Sequence, residues 1–359
     1  MARIVVVGGG VIGCAIAERL SRDRHQVVVL ERDRIAGQAS GAAAGLLSPG
    51  GDAGGEDGTL GHRSLALFPE LVARVERSGV AVEYRVHESV LPALSAADER
   101  VLSRGAARWL DAREALAEEP ELSPTIRGAA IVEEAQVTPA RFVDALARTA
   151  VAQGAEVREG VPVGSLAAIG DRVRGVQTAE GQLEADCVVL AAGPWSPALT
   201  SPLGIALDVR PNRGQLVTLR PRGAGLRRAV EWRSNYLVPK PDGTVVAGST
   251  EEEAGYDARP TAEGVTGLLQ FATAAVPSLA TATVERVWAA LRPATPDGAP
   301  IVGAVSQVSG LIVATGHNRS GILLAPVTAD LVVAGLAGEP APEPAGAFAP
   351  GRFAVEVGA

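Results

Sequence analysis

Arg3-Ile4-Val5-Val6-Val7-Gly8-Gly9-Gly10-Val11-Ile12-Gly13 opens the chain, and the next apolar run, Val27-Val28-Val29-Leu30, ends on an acidic residue, Glu31. The order reads as a strand, a glycine turn, a helix and a second strand closed by a carboxylate, the βαβ unit that grips a dinucleotide. Gly8 permits the tight turn, Gly10 lets backbone N–H groups approach a pyrophosphate, and Gly13 lets the helix sit close on the sheet. The helix start turns its partial positive charge toward the phosphates. A glycine fingerprint alone is a weak signal. Here the strand before it, the helix after it and an acid 18 positions beyond Gly13 all agree.

These residues leave open which dinucleotide is bound. An NAD domain would usually continue through further βαβ repeats, whereas this chain continues with Gln38-Ala39-Ser40-Gly41-Ala42-Ala43-Ala44-Gly45-Leu46-Leu47. Such a run of small residues suits backbone lying against a flat ring system.

With 359 residues the chain has ample length for two domains. Its net charge of −8 and the lack of any basic run make nucleic acid and anionic membrane poor partners. Two cysteines, Cys14 in the first helix and Cys187 at the head of an apolar strand, suggest no disulfide framework, and a reducing cytoplasm is expected. The start of the chain carries no charged leader, so no signal peptide is expected. The apolar stretch from Gly321 to Gly338 contains Pro326 and Asp330 and reads as a docked helix, not a membrane span.

Residues 48–59 form a Gly/Asp/Pro-rich loop. A helix is expected over 62–78, strands around 80–90 and 128–133 flanking one helix over 95–118, and a helix from the cap Thr138 and Pro139 through 151. A strand at 155–158 and a buried strand at 186–193 follow. Residues 208–287 alternate short β segments with one helix, 261–275, and a last apolar strand, 311–316, precedes the final helix at Gly321. The expected architecture is α/β: a Rossmann-like domain from 1–78, 136–205 and 286–359, with an inserted α+β domain from 79–135 and 206–285 built on a mostly antiparallel sheet.

Five pieces of the chain, GGGVIG at 8–13, SGAAAGLL at 40–47, VVLAAGPWS at 188–196, ALRPATPDG at 290–298 and GHNRSGILLAP at 316–326, resemble the D-amino-acid-oxidase-type flavoproteins, in particular their glycine-oxidising branch. The last two discriminate best. The resemblance implies FAD, held non-covalently since neither cysteine lies in a motif that reaches the flavin. It implies that Val11 and Ile12 lie at the pyrophosphate turn, that Glu31 binds the adenosine ribose with Arg32 beside it, and that Ala39 and Ser40 meet the phosphates. Ala44, Gly45 and Leu46 match the segment along the isoalloxazine. Val163 matches a position whose backbone reads adenine, and Gly193 ends the second family strand motif.

Physics adds a reason for the final motif. A helix beginning near Gly321 aims unpaired N–H groups at whatever precedes it, and reduced flavin carries negative charge there. His317, Asn318, Arg319, Ser320, Gly321, Ile322 and Leu323 are therefore the expected ring contacts. His317 is expected to make a structural hydrogen bond rather than act as a base. Arg292, beside Pro293, and Arg319, at the helix start, sit at expected element ends where clefts form, and a guanidinium fork suits a carboxylate.

By resemblance, Arg292 pairs with a substrate carboxylate, Tyr236 adds a hydroxyl hydrogen bond and Arg319 borders the pocket. The implied reaction is oxidative deamination of glycine, other small amines or D-amino acids by hydride transfer to the flavin. Molecular oxygen is the expected acceptor, hydrogen peroxide the product and thiamine thiazole assembly the setting. No metal is called for, and a homo-oligomer fits the family. Three alternatives compete: a D-amino-acid, sarcosine or D-proline dehydrogenase with another acceptor, a non-catalytic FAD-carrying subunit, and an NAD-dependent dehydrogenase.

Overall fold

Strand Arg3–Val7 lies inside a six-stranded sheet ordered Ile301–Ala304, Leu311–Thr315, Cys187–Leu190, Arg3–Val7, Gln26–Leu30, Glu156–Arg158. This computed structural model describes residues 1–50, 59–106, 108–339 and 345–353. Contacts divide the chain into one unit of Met1–Tyr84, Val137–Asn212 and Arg292–Ala359 and another of Arg85–Gln136 and Arg213–Leu291. The chain thus crosses at 84/85, 136/137, 212/213 and 291/292, against expected crossings at 78/79, 135/136, 205/206 and 285/286.

In this six-stranded sheet all neighbouring strands run parallel except the edge strand Ile301–Ala304. Strands covered on both faces read as unbroken apolar runs, which is why Val5, Val188 and Val313 are all fully buried. Helix Val11–Arg22 packs against Pro139–Ala152 and Gly321–Ala337, and the latter packs against Thr59–Val75. A three-stranded antiparallel sheet, Val163–Ile169, Arg172–Thr178 and Gly181–Glu184, supplies Leu166, Val173 and Val176 to a core shared with Val5, Val188, Leu190 and Val313.

Helix Gly321–Ala337 is apolar around its circumference, and Ile322 through Ala329 are all buried. By length and composition Asn318–Ala337 could cross a membrane, but an all-round apolar helix sheltered in this way serves as a core helix. Pro326 breaks its hydrogen-bond ladder. Ser64 Oγ enters from helix Thr59–Val75, donating to the Leu323 carbonyl at 2.5 Å and accepting from Val327 N at 3.4 Å.

The second unit is a mostly antiparallel sheet that includes Thr283–Ala294, Arg210–Arg220, Val245–Gly248, Asn235–Pro239, Ala229–Trp232, Arg85–Pro92 and Gly128–Gln136 in that order. One pair, Ala229–Trp232 with Arg85–Pro92, is parallel. Val90, Ile131, Val217, Val230, Leu237 and Ala247 form one face, buried with Leu268, Phe271 and Ala275 of helix Ala262–Ala275. The two-residue period of the strands puts Tyr236, Gly248, Ser89 and Glu134 on the opposite face.

Two local expectations are corrected and a third is refined. The helix expected over 95–118 is two helices, Ala96–Gly105 and Ala112–Glu118, separated by strand Arg108–Asp111. Gly105 weakens the first, and Asp111 starts the second with a reciprocal capping box to Glu114. The strand expected from Val80 begins at Arg85, because Glu83 adopts φ 58° and turns the chain. Thr138 is the N-cap of the helix starting at Pro139, as expected, but its hydroxyl donates to the Glu83 carboxylate and not to a first-turn N–H. Of the loop read at 48–59, residues 51–58 lie outside the described residues.

Candidate active site

The glycine turn is dictated by close approach. Gly8 has φ 114°, and a Cβ there would stand 2.4 Å from the Ala191 carbonyl oxygen; a Cβ on Gly13 would stand 1.9 Å from the Gly8 oxygen. Gly9 is constrained less severely, since its Cβ would lie 2.5 Å from the movable end of Ile35 and 2.9 Å from Glu31 Cβ, a requirement the motif spacing did not reveal. At Gly10 the nearest obstacle is Ser40 Oγ at 3.1 Å, and that oxygen accepts a hydrogen bond from Val11 N at 2.9 Å. The short helix Ala39–Ala42 thus places a polar atom at the first N–H of helix Val11–Arg22, with Ile12 next in its buried first turn.

Glu31 is only 8% exposed, and its carboxylate accepts from Gly9 N at 2.7 Å and Asp33 N at 2.9 Å. It therefore ties the second strand to the glycine turn, and each oxygen has a further lone pair for a hydroxyl donor. Arg32 lies over the Trp195 ring, 3.7 Å from its centroid, and pairs with Asp33. Backbone bonds from Gly160 N to Asp33 O and from Val161 N to Glu31 O bring the approach to Val163 beside this acidic corner.

The carboxyl ends of the parallel strands gather the remaining motifs. Ala191 N donates to Val7 O, and Thr315 Oγ1 donates to Gly193 O at 2.9 Å. Gly316 has φ 77°, and its Cβ would stand 2.7 Å from Thr295 Cγ2, so ALRPATPDG and GHNRSGILLAP are packed together. Arg352, missed in the sequence, grips the turn of the former through both Asp297 oxygens and the Ala299 carbonyl. Burial opposes ionisation of Asp297, but the Arg352 and backbone hydrogen bonds outweigh it and hold its carboxyl below the usual range.

His317 is 3% exposed, and its Nε2 lies 2.9 Å from Thr328 Oγ1. Burial lowers its pKa to about 3, so the ring is neutral. Asn318, Arg319 and Ser320 make one tight turn before helix Gly321–Ala337, whose first residues Ile322 and Leu323 are buried. An ideal Cβ on Gly321 would lie 3.9 Å from Val11 Cγ1, so two helix starts stand side by side. Ser320, the residue before this helix, makes no side-chain cap hydrogen bond to it.

Arg292 is half-buried on strand Thr283–Ala294, which runs through Pro293 instead of ending there. The strand lies at a sheet edge, where proline is tolerated. Arg292 Nη1 donates to Asn212 Oδ1 at 3.1 Å, a partner 80 residues away that no motif marked. Arg319 is half-buried in its turn. Ala44 is buried, and Gly45, with φ 87°, is pressed onto Val137, whose carbonyl oxygen would be 2.2 Å from a Cβ; Leu46 then opens the short strand Leu46–Leu47. In the second unit Tyr236 is half-buried and pairs across the sheet with Gly248, whose Cβ would lie 2.7 Å from the tyrosine ring.

Both thiols are buried, and desolvation pushes them up, Cys187 to about 12. Neither is a nucleophile at neutral pH.

A family model described as FAD dependent oxidoreductase matches residues 3–334. The chain is 36% identical to a glycine oxidase of Pseudomonas putida, covering 98% of this chain and 99% of that one. It is 34% identical to a bifunctional protein ThiO/ThiG of Trichormus variabilis, covering 92% of this chain and 52% of that protein. The crystal structure of a glycine oxidase from Geobacillus kaustophilus superposes with a TM-score of 0.91 at 31% identity, covering 98% and 99% of the two chains.

Proposed function

For a chain that belongs to the FAD-dependent oxidoreductase family, we propose oxidative deamination of glycine and similarly small amino acids, with oxygen as acceptor and hydrogen peroxide as product. The observation that carries this reading is the half-buried Arg292 guanidinium, hydrogen-bonded to Asn212 and joined through Thr295 and Gly316 to the start of helix Gly321–Ala337.

The site residues fit FAD. Gly8 and Gly13 let the turn close tightly on the backbone of Ala191 and Gly8, which sets the first helix start, and two helix starts adjoin at Val11 and Gly321. In this reading Gly8, Gly10, Val11, Ile12, Gly13, Ala39 and Ser40 hold the pyrophosphate, while Glu31, Arg32 and Val163 take the adenosine. Ala44, Gly45, Leu46, Gly193 and His317 through Leu323 hold the flavin. When bound, FAD supplies a hydride acceptor that returns the electron pair to oxygen.

In this reading Arg292 binds the substrate carboxylate bidentately, and Arg319 borders the pocket with a second positive charge. Orientation of the α-C–H is the main contribution of these residues, so no side-chain base is required once the amine is neutral. His317 is not such a base, because burial and its bond to Thr328 commit it to the strand-to-helix corner. The first turn of helix Gly321–Ala337 stabilises the negative charge that reduction places beside it. Water then hydrolyses the product imine to ammonia and the oxo acid. Thiazole assembly in a reducing cytoplasm is the setting we favour.

The test is Arg292→Ala in FAD-loaded enzyme, with glycine, sarcosine, D-alanine and D-proline compared by peroxide release under air. Loss of the clamp costs about 2–5 kcal/mol of substrate affinity. Retention of full affinity for substrate and for simple carboxylates rejects the assignment.

A further inference from the structure

We propose that Arg352 is a positioning residue for the flavin end of the site: by pinning the turn from Thr295 to Ala299 it holds Gly316, and with it the tight turn Asn318–Ser320, where helix Gly321–Ala337 meets the ring. The inference rests on His317 through Leu323 being the flavin contacts.

The route is a continuous set of contacts within the first unit. Arg352 Nε donates to Asp297 Oδ2 at 2.8 Å, and Nη2 donates to Asp297 Oδ1 at 3.1 Å and to the Ala299 carbonyl at 2.7 Å. That carbonyl also accepts from Thr295 Oγ1 at 2.8 Å, so the guanidinium and the threonine hydroxyl converge on one oxygen and draw the ends of the turn together. Gly316, at φ 77°, fits against this turn only because it has no side chain: its Cβ would come within 2.7 Å of Thr295 Cγ2 and 3.3 Å of Ile301 N. Close packing of this kind passes a displacement on, and a shift of Thr295 becomes a shift of the loop that follows Gly316.

Arg352 itself is firmly seated. Its guanidinium lies over the Phe353 ring, 4.3 Å from the centroid, and Nη1 donates to the Phe348 carbonyl at 3.3 Å. Phe348 is fully buried, and Pro350 Cδ stands 3.2 Å from where Gly303 would carry a Cβ, so the segment from Ala345 to Phe353 rests on strand Ile301–Ala304. An arginine that only docked its own segment could take its partners from that strand. Among the described residues, every acceptor of Arg352 outside its own segment lies instead in the turn behind Gly316. Two carboxylate oxygens and a carbonyl in one plane call for a guanidinium fork, which the point charge of a lysine does not supply.

Arg352→Ala, Arg352→Lys and Asp297→Asn separate this role from simple docking of the segment. Each is prepared as FAD-loaded protein, and three quantities are read: the Kd of FAD, the flavin absorption spectrum, and amide hydrogen exchange over 316–323 and, separately, over 301–304. In Arg352→Ala exchange quickens over 316–323 and the Kd of FAD rises about twofold to thirtyfold, the range for coupling through packed side chains. Arg352→Lys falls between alanine and the unaltered protein, because an ammonium attracts Asp297 without gripping Ala299 as well. Asp297→Asn moves both quantities in the same direction. Quickened exchange over 301–304 with FAD affinity and 316–323 exchange unchanged overturns the proposal, since Arg352 then fastens only its own segment. Should Arg352→Ala not fold, the lysine and asparagine variants decide between the same two outcomes. Asn318→Asp is run in parallel, an isosteric negative charge that shifts the flavin absorption bands and lowers the flavin reduction potential. If it leaves both unchanged, the flavin contacts assigned to His317 through Leu323 fall and this inference with them; if it shifts them while the Arg352 variants keep FAD affinity and loop exchange, only the role of Arg352 falls.

Discussion

Gly248→Ala probes how Tyr236 is seated. An ideal Cβ on Gly248 would lie 2.7 Å from Cε2 and 2.8 Å from both Cζ and the hydroxyl oxygen of Tyr236, so the hydroxyl end of the ring rests on bare backbone. Gly248 has no positive φ, so alanine is compatible with its backbone and the ring is the obstacle. Reaching ordinary van der Waals separation demands a ring displacement of about 0.7 Å. Overpacking of this kind costs about 1–3 kcal/mol, and alanine returns about 0.5–1 kcal/mol of chain entropy, leaving a net loss of about 1 kcal/mol. In a Tyr236→Ala background the obstacle is gone, and the same substitution becomes neutral or mildly stabilising. A double-mutant cycle by urea unfolding of the FAD-loaded protein measures the difference, with an expected coupling of about 1 kcal/mol or more. Equal destabilisation with and without the Tyr236 ring would refute the reasoning.

Ser64→Ala leaves the Leu323 carbonyl without its donor beside Pro326 and lowers stability by about 1–3 kcal/mol, read from chemical unfolding; Ser64→Thr, which keeps the hydroxyl, isolates the hydrogen bond from the added methyl. His317 gives a pH signature. Its folded pKa, about 3, lies below the unfolded value near 6.5, so the unfolded chain binds the extra proton and stability falls as pH drops from about 6.5 toward 3. The limiting slope is about 1.4 kcal/mol per pH unit, and His317→Asn flattens that portion of the stability-versus-pH curve.

Much of this molecule was legible where information is local. The strand, glycine turn, helix and Glu31 were readable because each element's cause lies within a few residues, and the start of the last helix at Gly321 followed from the same logic. The failures are non-local. Asn212 meets Arg292 across 80 residues, Arg352 reaches back 55 residues to Asp297, and nothing near Gly248 in sequence announces the Tyr236 ring on a neighbouring strand. The helix over 95–118 was misread because an alanine- and arginine-rich composition hides a short strand that exists only through pairing with Gly128–Gln136. Arg32 stands beside Glu31 in the resemblance, and its guanidinium lies over the ring of Trp195, a partner distant in sequence that no motif marked.

The position of strand Leu311–Thr315 constrains how the protein is made. It lies against Cys187–Leu190 inside the six-stranded sheet, yet it leaves the ribosome after most of the chain has already emerged. Until then Cys187–Leu190 presents an unpaired, wholly apolar edge, the kind of surface that recruits other nascent chains. The second unit, residues 85–136 and 213–291, has emerged whole by that time and can fold first. Ribosome stalling or premature termination before residue 311 therefore yields an aggregation-prone product, and chaperone demand during synthesis concentrates in the interval before that strand appears.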